Sequence, residues 1–212
     1  MRRAISVGLT AAMIAGALAL PASAGSGPSR AKTTLGEQIL ADADGKFDRK
    51  WSDYDIIGEI VKAILDSGIE TRLGASVDPN VELTAFLPND KAFRRLAHDL
   101  TGKWVSKESK VIPAILGAVG GDLALVNSIV EYHVVPGKIK ARTAVRSDGA
   151  VLTSIMGESF TVDVKSKRAV KVQLIDNDPD LRDPRLIRRD LDNRASNGVW
   201  HGIDRVLIPI DV

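Results

Sequence analysis

The final segment of the chain, residues 197–209, constrains the fold more than any other part of the sequence. It opens with the turn pair Asn197-Gly198, and its side chains then alternate, with Val199, His201 and Ile203 on one face and Trp200, Gly202 and Asp204 on the other. A period of two is that of a β-strand with one buried face. The apolar run Val206-Leu207-Ile208 follows and is long enough to be covered on both faces. We therefore predict that the chain ends in a buried strand that the core cannot lose.

The N-terminus has the three parts of a secretory signal peptide. Arg2 and Arg3 precede an apolar run from Ile5 to Leu20, and an Ala-x-Ala site ends at Ala24. The run is too short and too poorly flanked for a transmembrane anchor. The twin arginines lack the flanking pattern of Tat export, which favours the Sec route. We predict that residues 1–24 are a signal peptide cleaved after Ala24, and that the product is a bacterial protein, extracellular or associated with the cell wall.

Removal of that segment leaves a chain without net charge. The 29 basic and 27 acidic residues give a formal charge of +2, and Arg2 and Arg3 account for all of it. A neutral chain has no broad electrostatic attraction to nucleic acid or to an anionic membrane, so we predict neither as a partner. The chain has no cysteine, so its stability must come from a hydrophobic core rather than from disulfides. A lipoprotein anchor is excluded for the same reason, and we predict no stable membrane anchor.

The order of predicted elements places helices first and most strands later. Residues 25–50 are expected to form a flexible leader with one short helix, in which Thr34 and Glu37 make a capping box. Apolar spacing of three and four predicts further helices at residues 52–67, after Asn89 or Asp90, at 106–119 with a break at Pro113, and at 123–132. Strands are expected at residues 81–87, in a hairpin of 160–164 with 170–174, and in the final segment. This is an α+β pattern, which we assign to one domain at residues 51–212.

Three segments carry a family resemblance. They read Thr84-Ala85-Phe86-Leu87-Pro88-Asn89-Asp90-Lys91-Ala92-Phe93, then Tyr132-His133-Val134-Val135-Pro136-Gly137, and then the final segment from Asn197 to Pro209. In this order and at these separations they resemble the hallmark blocks of the fasciclin domain family, and the resemblance covers residues 51–210. It implies a wedge of two small β-sheets with helices packed alongside.

The resemblance also implies a function. Fasciclin domains are exported or surface-bound modules of adhesion and matrix binding and are not known for catalysis, so we expect a non-enzymatic protein without a cofactor. Its partner would be an extracellular protein or polysaccharide, and its oligomeric state stays open. The alternative is an enzyme or small-ligand carrier that acts on extracellular carbohydrate or lipid. The familiar nucleophile, phosphate-loop and zinc motifs are missing from the sequence, but its many carboxylates leave a glycosidase-like pair open.

Tyr132 and His133 form the first candidate binding element. In the family this Tyr-His pair has been proposed as a recognition element, and that is one interpretation. The interpretation we favour places both side chains beneath the Pro136-Gly137 turn, with their polar atoms bonded to backbone groups. His201 lies on the inward face of the final strand, so we predict a core histidine rather than a metal ligand.

The second candidate is an acidic loop. Asp176, Asp178 and Asp180 alternate as the first ligands of a calcium loop do, but Leu181 and Ile187 stand where such a loop needs Gly and Glu. We favour a solvated turn and predict no metal site.

Trp200 is the third candidate. Both Trp200 and Gly202 replace the aliphatic residues usual in the family, so Trp200 and the loop at residues 176–194 are expected to form a surface particular to this protein. Trp51, Trp104 and Trp200 are the aromatic residues most able to stack on a sugar if they are exposed.

Overall fold

The structure is a computed structural model, in which residues 32–210 are described. The predicted signal peptide at residues 1–24 lies outside the described residues. The helices are α1 (Leu35–Ala41), α2 (Asp55–Ser67), α3 (Asp90–Thr101), α4 (Val111–Ala118), α5 (Leu123–Tyr132) and α6 (Ala141–Ala144). The strands are β1 (Leu83–Pro88), β2 (Val134–Pro136), β3 (Val151–Thr153), β4 (Ser159–Ser166), β5 (Lys171–Ile175), β6 (Asn193–Ala195) and β7 (Gly198–Ile203). Short 3₁₀ turns occupy Leu73–Val77, Glu108–Lys110 and Arg188–Asp190.

Side-chain caps explain where several helices begin. The capping box of Thr34 and Glu37 is confirmed at the start of α1. Asn89 caps α3 by accepting from the backbone N–H of Ala92, and Asp122 caps α5 by accepting from that of Leu125. The expected break at Pro113 is wrong. The interruption lies earlier, between Glu108–Lys110 and α4, and Pro113 sits in the first turn of α4, where a missing N–H breaks no helical bond.

Two small sheets follow from the strand pairing. The first has the order β2-β1-β7-β6, in which β1 and β7 run parallel and the other neighbours antiparallel. The second is the antiparallel sheet β3-β4-β5. The predicted hairpin of β4 and β5 is confirmed. The strands β2, β3 and β6, of three residues each, were not predicted, because such a short run does not display a period of two.

The final segment is buried as predicted, but only its first half is a strand. β7 ends at Ile203, while Val206, Leu207 and Ile208 are 6%, 0% and 2% exposed without strand pairing. Side chains supply the hydrogen-bond partners there. The Leu207 N–H donates to His133 Nε2 at 2.9 Å, and the Ile208 N–H donates to Asp176 Oδ2 at 2.9 Å.

The first sheet separates two hydrophobic cores. On β1, Leu83, Ala85 and Leu87 face the core shared with the helices, whereas Phe86 faces the core shared with the second sheet. Helices therefore cover one face of the first sheet and the second sheet covers the other. The predicted α+β class and the arrangement of two small sheets with helices alongside are confirmed.

Within residues 32–210, no single helix combines the length and hydropathy of a membrane span. The pair Glu108–Ala118 and Leu123–Tyr132, bent by 111°, reaches that length and composition only when both parts are counted together.

Candidate functional site

Tyr132 and His133 lie inside the protein, at the end of α5. Tyr132 is 0% exposed, its hydroxyl donates to the Ser159 carbonyl at 2.8 Å, and its ring meets that of Phe160 edge-on. His133 is 2% exposed, and its Nδ1 lies 2.7 Å from the Ile129 carbonyl. Both polar ends are bonded to backbone groups, so in this conformation neither side chain is available to a ligand.

The bonds of His133 define a neutral imidazole. Nε2 accepts the Leu207 N–H, so Nδ1 carries the proton that bonds the Ile129 carbonyl. Burial lowers the pKa of His133 to about 4, because the charged ring would lose its hydration. His201 is similar, as the sequence predicted. It is 1% exposed, stacks on Phe86 and contacts the Ile139 carbonyl, and burial lowers its pKa.

The acidic loop uses its carboxylates to hold the backbone. Asp176 accepts from the N–H groups of Ile208 and Asp178, and burial raises its pKa to about 6. Asp178 is buried and accepts from the N–H groups of Asp180 and Leu181. Asp180 is exposed. These bonds are those of a tight turn, in which the oxygens already have backbone donors.

Trp200, on β7, is half-buried and contacts Gln38 of α1 and Tyr54, the residue before α2. Its ring meets Tyr54 edge-on at 5.0 Å, and its Nε1 donates to Gln38 Oε1 at 3.1 Å. A Cβ atom on Gly202 would lie only 2.1 Å from the Tyr54 hydroxyl oxygen. The two departures from the family pattern therefore belong together, because Gly202 leaves the room that Tyr54 needs to reach Trp200. The adjoining groove is small, about 80 Å³.

The most exposed aromatic residue of interest is Trp104. It is 60% exposed, and its ring stacks on that of His98 at 4.1 Å between centroids. The Arg94 guanidinium lies 5.4 Å from the Trp104 ring centroid and 4.5 Å from that of Trp51, so it is held between two indoles. Its Nε donates to the Val105 carbonyl at 2.7 Å, which fixes the group further.

Helical spacing places further cations beside this tryptophan. On α3, Arg94 and Arg95 lie three and four residues after Lys91, and His98 lies four and three residues after them, so the four side chains share one face. Together with Trp104, the first three line an open depression of about 360 Å³. We call Lys91, Arg94, Arg95, Trp51 and Trp104 the cationic–aromatic face. Both tryptophans are among the residues predicted to stack on a sugar, whereas the three cations were not predicted, although their spacing is visible in the sequence.

A cluster of carboxylates lies close to this face. It contains Asp53, Asp90 and Glu108, each of which has one carboxylate oxygen within 4.8 Å of an oxygen of the other two. A second group of the same kind consists of Asp48, Asp53 and Asp55. Burial raises the pKa of Asp90 to about 8, and the neighbouring Asp53 and Asp55 add to that effect. Sequence reasoning missed this cluster because its three members come from separate elements.

The two sheets and the flanking helices form a small α+β module, and the cationic–aromatic face lies open on its surface. The family model of the Fasciclin domain matches residues 58–209. A solved structure of a FAS1 domain pair from the insect cell adhesion molecule fasciclin I matches with a TM-score of 0.54, at 17% identity and over 84% of this chain. The chain belongs to the fasciclin domain family, which confirms the resemblance in the sequence.

The relatives extend beyond the matched region. The chain covers 51% of the fasciclin I structure, and at that level of identity the likeness shows the fold alone. Protein sll1483 of Synechocystis sp. (strain ATCC 27184 / PCC 6803 / Kazusa) is 41% identical over 81 residues, which are 38% of this chain and 37% of that protein.

Proposed function

We propose that this chain is a secreted, non-enzymatic adhesion module and that it binds an anionic extracellular polysaccharide through the cationic–aromatic face. Membership of the fasciclin family supports the adhesion role, since the family is one of adhesion-like extracellular modules. The signal-peptide pattern of residues 1–24 supports secretion. The observation that carries the choice of ligand is the exposed ring of Trp104 beside Lys91 and Arg94, for which the described residues offer no ion pair.

Trp104 supplies the apolar part of the proposed contact. An indole that is 60% exposed and already held flat against His98 loses little freedom when a ligand covers it. The apolar face of a sugar ring is a planar surface of matching size. Tryptophan and arginine are also the side chains that most often dominate binding energies.

Lys91 and Arg94 supply the charge. Among residues 32–210, no carboxylate forms an ion pair with either side chain, and no described group accepts from the terminal nitrogens of Arg94. Arg95 differs, because its guanidinium donates to the Asp204 carbonyl at 2.7 Å and forms an ion pair with the Asp204 carboxylate at 3.9 Å. Two unpaired cations beside an exposed indole favour a ligand that alternates sugar rings with carboxylate or sulfate groups.

The alternative, an enzyme or small-ligand carrier, has less support from the described surface. The groove beside Trp200, at about 80 Å³, is much smaller than the usual pocket for a small molecule. The depression beside Trp104 is larger but open, which suits a chain that lies across the surface.

Substitution of Trp104 provides the direct test. We expect Trp104→Ala to weaken binding to alginate or heparin about tenfold, measured by calorimetry, because it removes the stacking surface. The melting temperature should stay nearly unchanged, since the ring is mostly exposed. Val151→Ala, at a side chain that is 61% exposed on β3, is the matched control and should bind normally.

Charge reversal tests the electrostatic part of the proposed contact separately from the stacking on Trp104. Lys91→Glu should weaken binding to the anionic polymers, while Lys171→Glu, an equal change of charge on β5, should not. Neutral dextran should bind weakly to every variant. Equal binding by the wild type and Trp104→Ala, or binding confined to matrix proteins, would contradict the proposal.

A further inference from the structure

Three carboxylates converge on one point between α3, the segment before α2 and the 3₁₀ turn before α4. They are Asp53, Asp90 and Glu108, and one oxygen of each lies within 4.8 Å of the other two. Asp90 is 0% exposed and Glu108 is 2% exposed, while Asp53 is half-buried. Carboxylates this deeply buried normally have a compensating partner.

Each of the two most buried carboxylates is oriented by a single backbone bond. Asp90 Oδ1 accepts from the Ile56 N–H at 3.1 Å, and Glu108 Oε2 accepts from the Arg49 N–H at 2.7 Å. The other oxygens, Asp90 Oδ2 and Glu108 Oε1, are buried and receive no hydrogen bond from any described residue, and the same is true of Asp53 Oδ1. Asp90 and Glu108 are thus buried with one unpartnered oxygen each, and both belong to the group of carboxylates that lies within 4.8 Å.

No basic side chain of residues 32–210 compensates this charge with an ion pair. Lys50 lies nearby in the sequence, but its ammonium pairs with Asp48. The cluster therefore has to bind a proton or a cation. One proton held between Asp90 and Asp53 would satisfy those two groups and would leave Glu108 Oε1 buried without a partner. A cation in the centre satisfies all three oxygens together.

We infer that Asp53, Asp90 and Glu108 form a binding site for a divalent cation. Three carboxylates with no nitrogen or sulfur ligand favour a hard ion, and the longer bonds and flexible coordination of Ca²⁺ suit it better than Mg²⁺. Asp48 and Asp55, which group with Asp53, offer further oxygens on the exposed side. This site differs from the acidic loop at residues 176–180, whose Asp176 and Asp178 bind backbone N–H groups.

The site would join parts of the chain that carry the cationic–aromatic face. The Asp90 N–H donates to the Asp53 carbonyl at 3.0 Å, and the Lys91 N–H donates to the Trp51 carbonyl at 2.9 Å. A cation held by Asp53 and Asp90 fastens the segment of Trp51 to the start of α3. Since the ring of Trp51 packs against Arg94, occupancy also steadies that arginine.

Titration of the metal-free protein tests the inference without any polysaccharide, so its result is independent of the proposed function. Protein treated with EDTA and dialysed should release or absorb heat on addition of CaCl₂, and its melting temperature should rise by several degrees. NaCl at equal ionic strength should produce neither effect. MgCl₂ should give a smaller shift than CaCl₂.

Two substitutions locate the site. Asp90→Asn and Glu108→Gln keep the shape of the side chains and should each lower the Ca²⁺ affinity at least tenfold. Asp180→Asn, in the acidic loop, is the matched control and should retain the full response. Terbium luminescence under tryptophan excitation gives a second measurement that does not depend on melting, with Glu108→Gln expected to abolish the signal.

Three results would overturn the inference. They are the absence of heat and of a melting shift at millimolar CaCl₂, an unchanged Ca²⁺ response in both Asp90→Asn and Glu108→Gln, and a melting temperature that depends on pH but not on Ca²⁺. The last result would assign a shared proton to the cluster.

Discussion

His133 shows how one buried residue connects distant parts of the chain. It ends α5, yet its ring accepts the N–H of Leu207 near the end of the described chain. A neutral imidazole with one donor and one acceptor nitrogen satisfies both backbone groups at once. Histidine at this position is therefore explained by its two backbone hydrogen bonds alone, without any recognition role of the Tyr-His pair.

The pKa of His133 leads to a prediction about acid stability. The folded protein holds the pKa at about 4, whereas an unfolded chain has a value near 6.5. Between these values the unfolded chain binds the extra proton, so the contribution of His133 is full above about pH 6.5 and is lost as the pH falls towards 4. The difference corresponds to roughly 3 kcal/mol of unfolding free energy.

Glutamine at this position removes the titration. We expect wild type and His133→Gln to differ in the slope of unfolding free energy against pH between 4 and 6.5. The wild type should lose more stability on acidification. Comparing the two cancels the opposite effect of Asp90 and Asp176, whose raised pKa values favour the folded state at low pH. Parallel slopes, measured by urea titration at several pH values, would show that His133 does not titrate as described.

At the scale of elements, the segment after β7 has an unusual role. It forms no sheet, yet Leu207 is 0% exposed and packs in the core between the two sheets. Its backbone is held by the side chains of His133 and Asp176 instead of a neighbouring strand. Packing rather than pairing keeps it in place.

Truncation of single side chains tests that view. Leu207→Ala should lower the unfolding free energy by about 2–5 kcal/mol, because it leaves a cavity in a closed core. Ile210→Ala, three residues further along and 44% exposed, should cost less than about 0.5 kcal/mol. Chemical denaturation measures both. A similar loss of unfolding free energy in the two variants would show that the segment does not pack tightly against the core.

Helix caps can be predicted from a few neighbouring residues, whereas the shortest strands cannot. Thr34, Asn89 and Asp122 are capping residues whose effect is confined to the next turn, so the sequence predicts the starts of these helices, and the structure selects Asn89 over Asp90 as the cap of α3. The strands β2, β3 and β6 exist because a neighbouring strand lies beside them, and that contact leaves no periodic pattern in three residues.

The candidate sites also differ in how far they depend on contacts between distant parts of the chain. Trp104 was named from its residue type, but its exposure depends on how α3 packs. The convergence of Asp53, Asp90 and Glu108 depends on three separate elements meeting, and no spacing in the chain announces it. The alternating acids at residues 176–180 are a local pattern, so the sequence shows them at once, and the missing Gly and Glu already argue there against a calcium loop.

At the scale of the whole molecule, β1 couples the two cores. Its alternate side chains belong to different cores, with Ala85 in one and Phe86 in the other. If β1 left the first sheet, apolar side chains of both cores would become exposed to water. The protein should therefore unfold as one cooperative unit.

Tryptophan residues that pack against one core can report the effect of a substitution in the other core. Phe160 lies in the core between the sheets, while Trp51 and Trp200 pack against the core of the helices. Phe160→Leu should shift the thermal transition seen by tryptophan fluorescence by the same amount as the transition seen by far-ultraviolet circular dichroism. A fluorescence transition that stays at the wild-type temperature would show that the cores melt separately.

The parallel pairing of β1 with β7 has a consequence for how the chain reaches its folded state. β1 can pair with β2 once residue 136 is available, but its parallel neighbour β7 ends at Ile203, so the first sheet is completed only when nearly the whole chain is available. Contacts between such distant residues slow folding. For a secreted chain, as proposed above, such a delay favours passage through the membrane in an unfolded state.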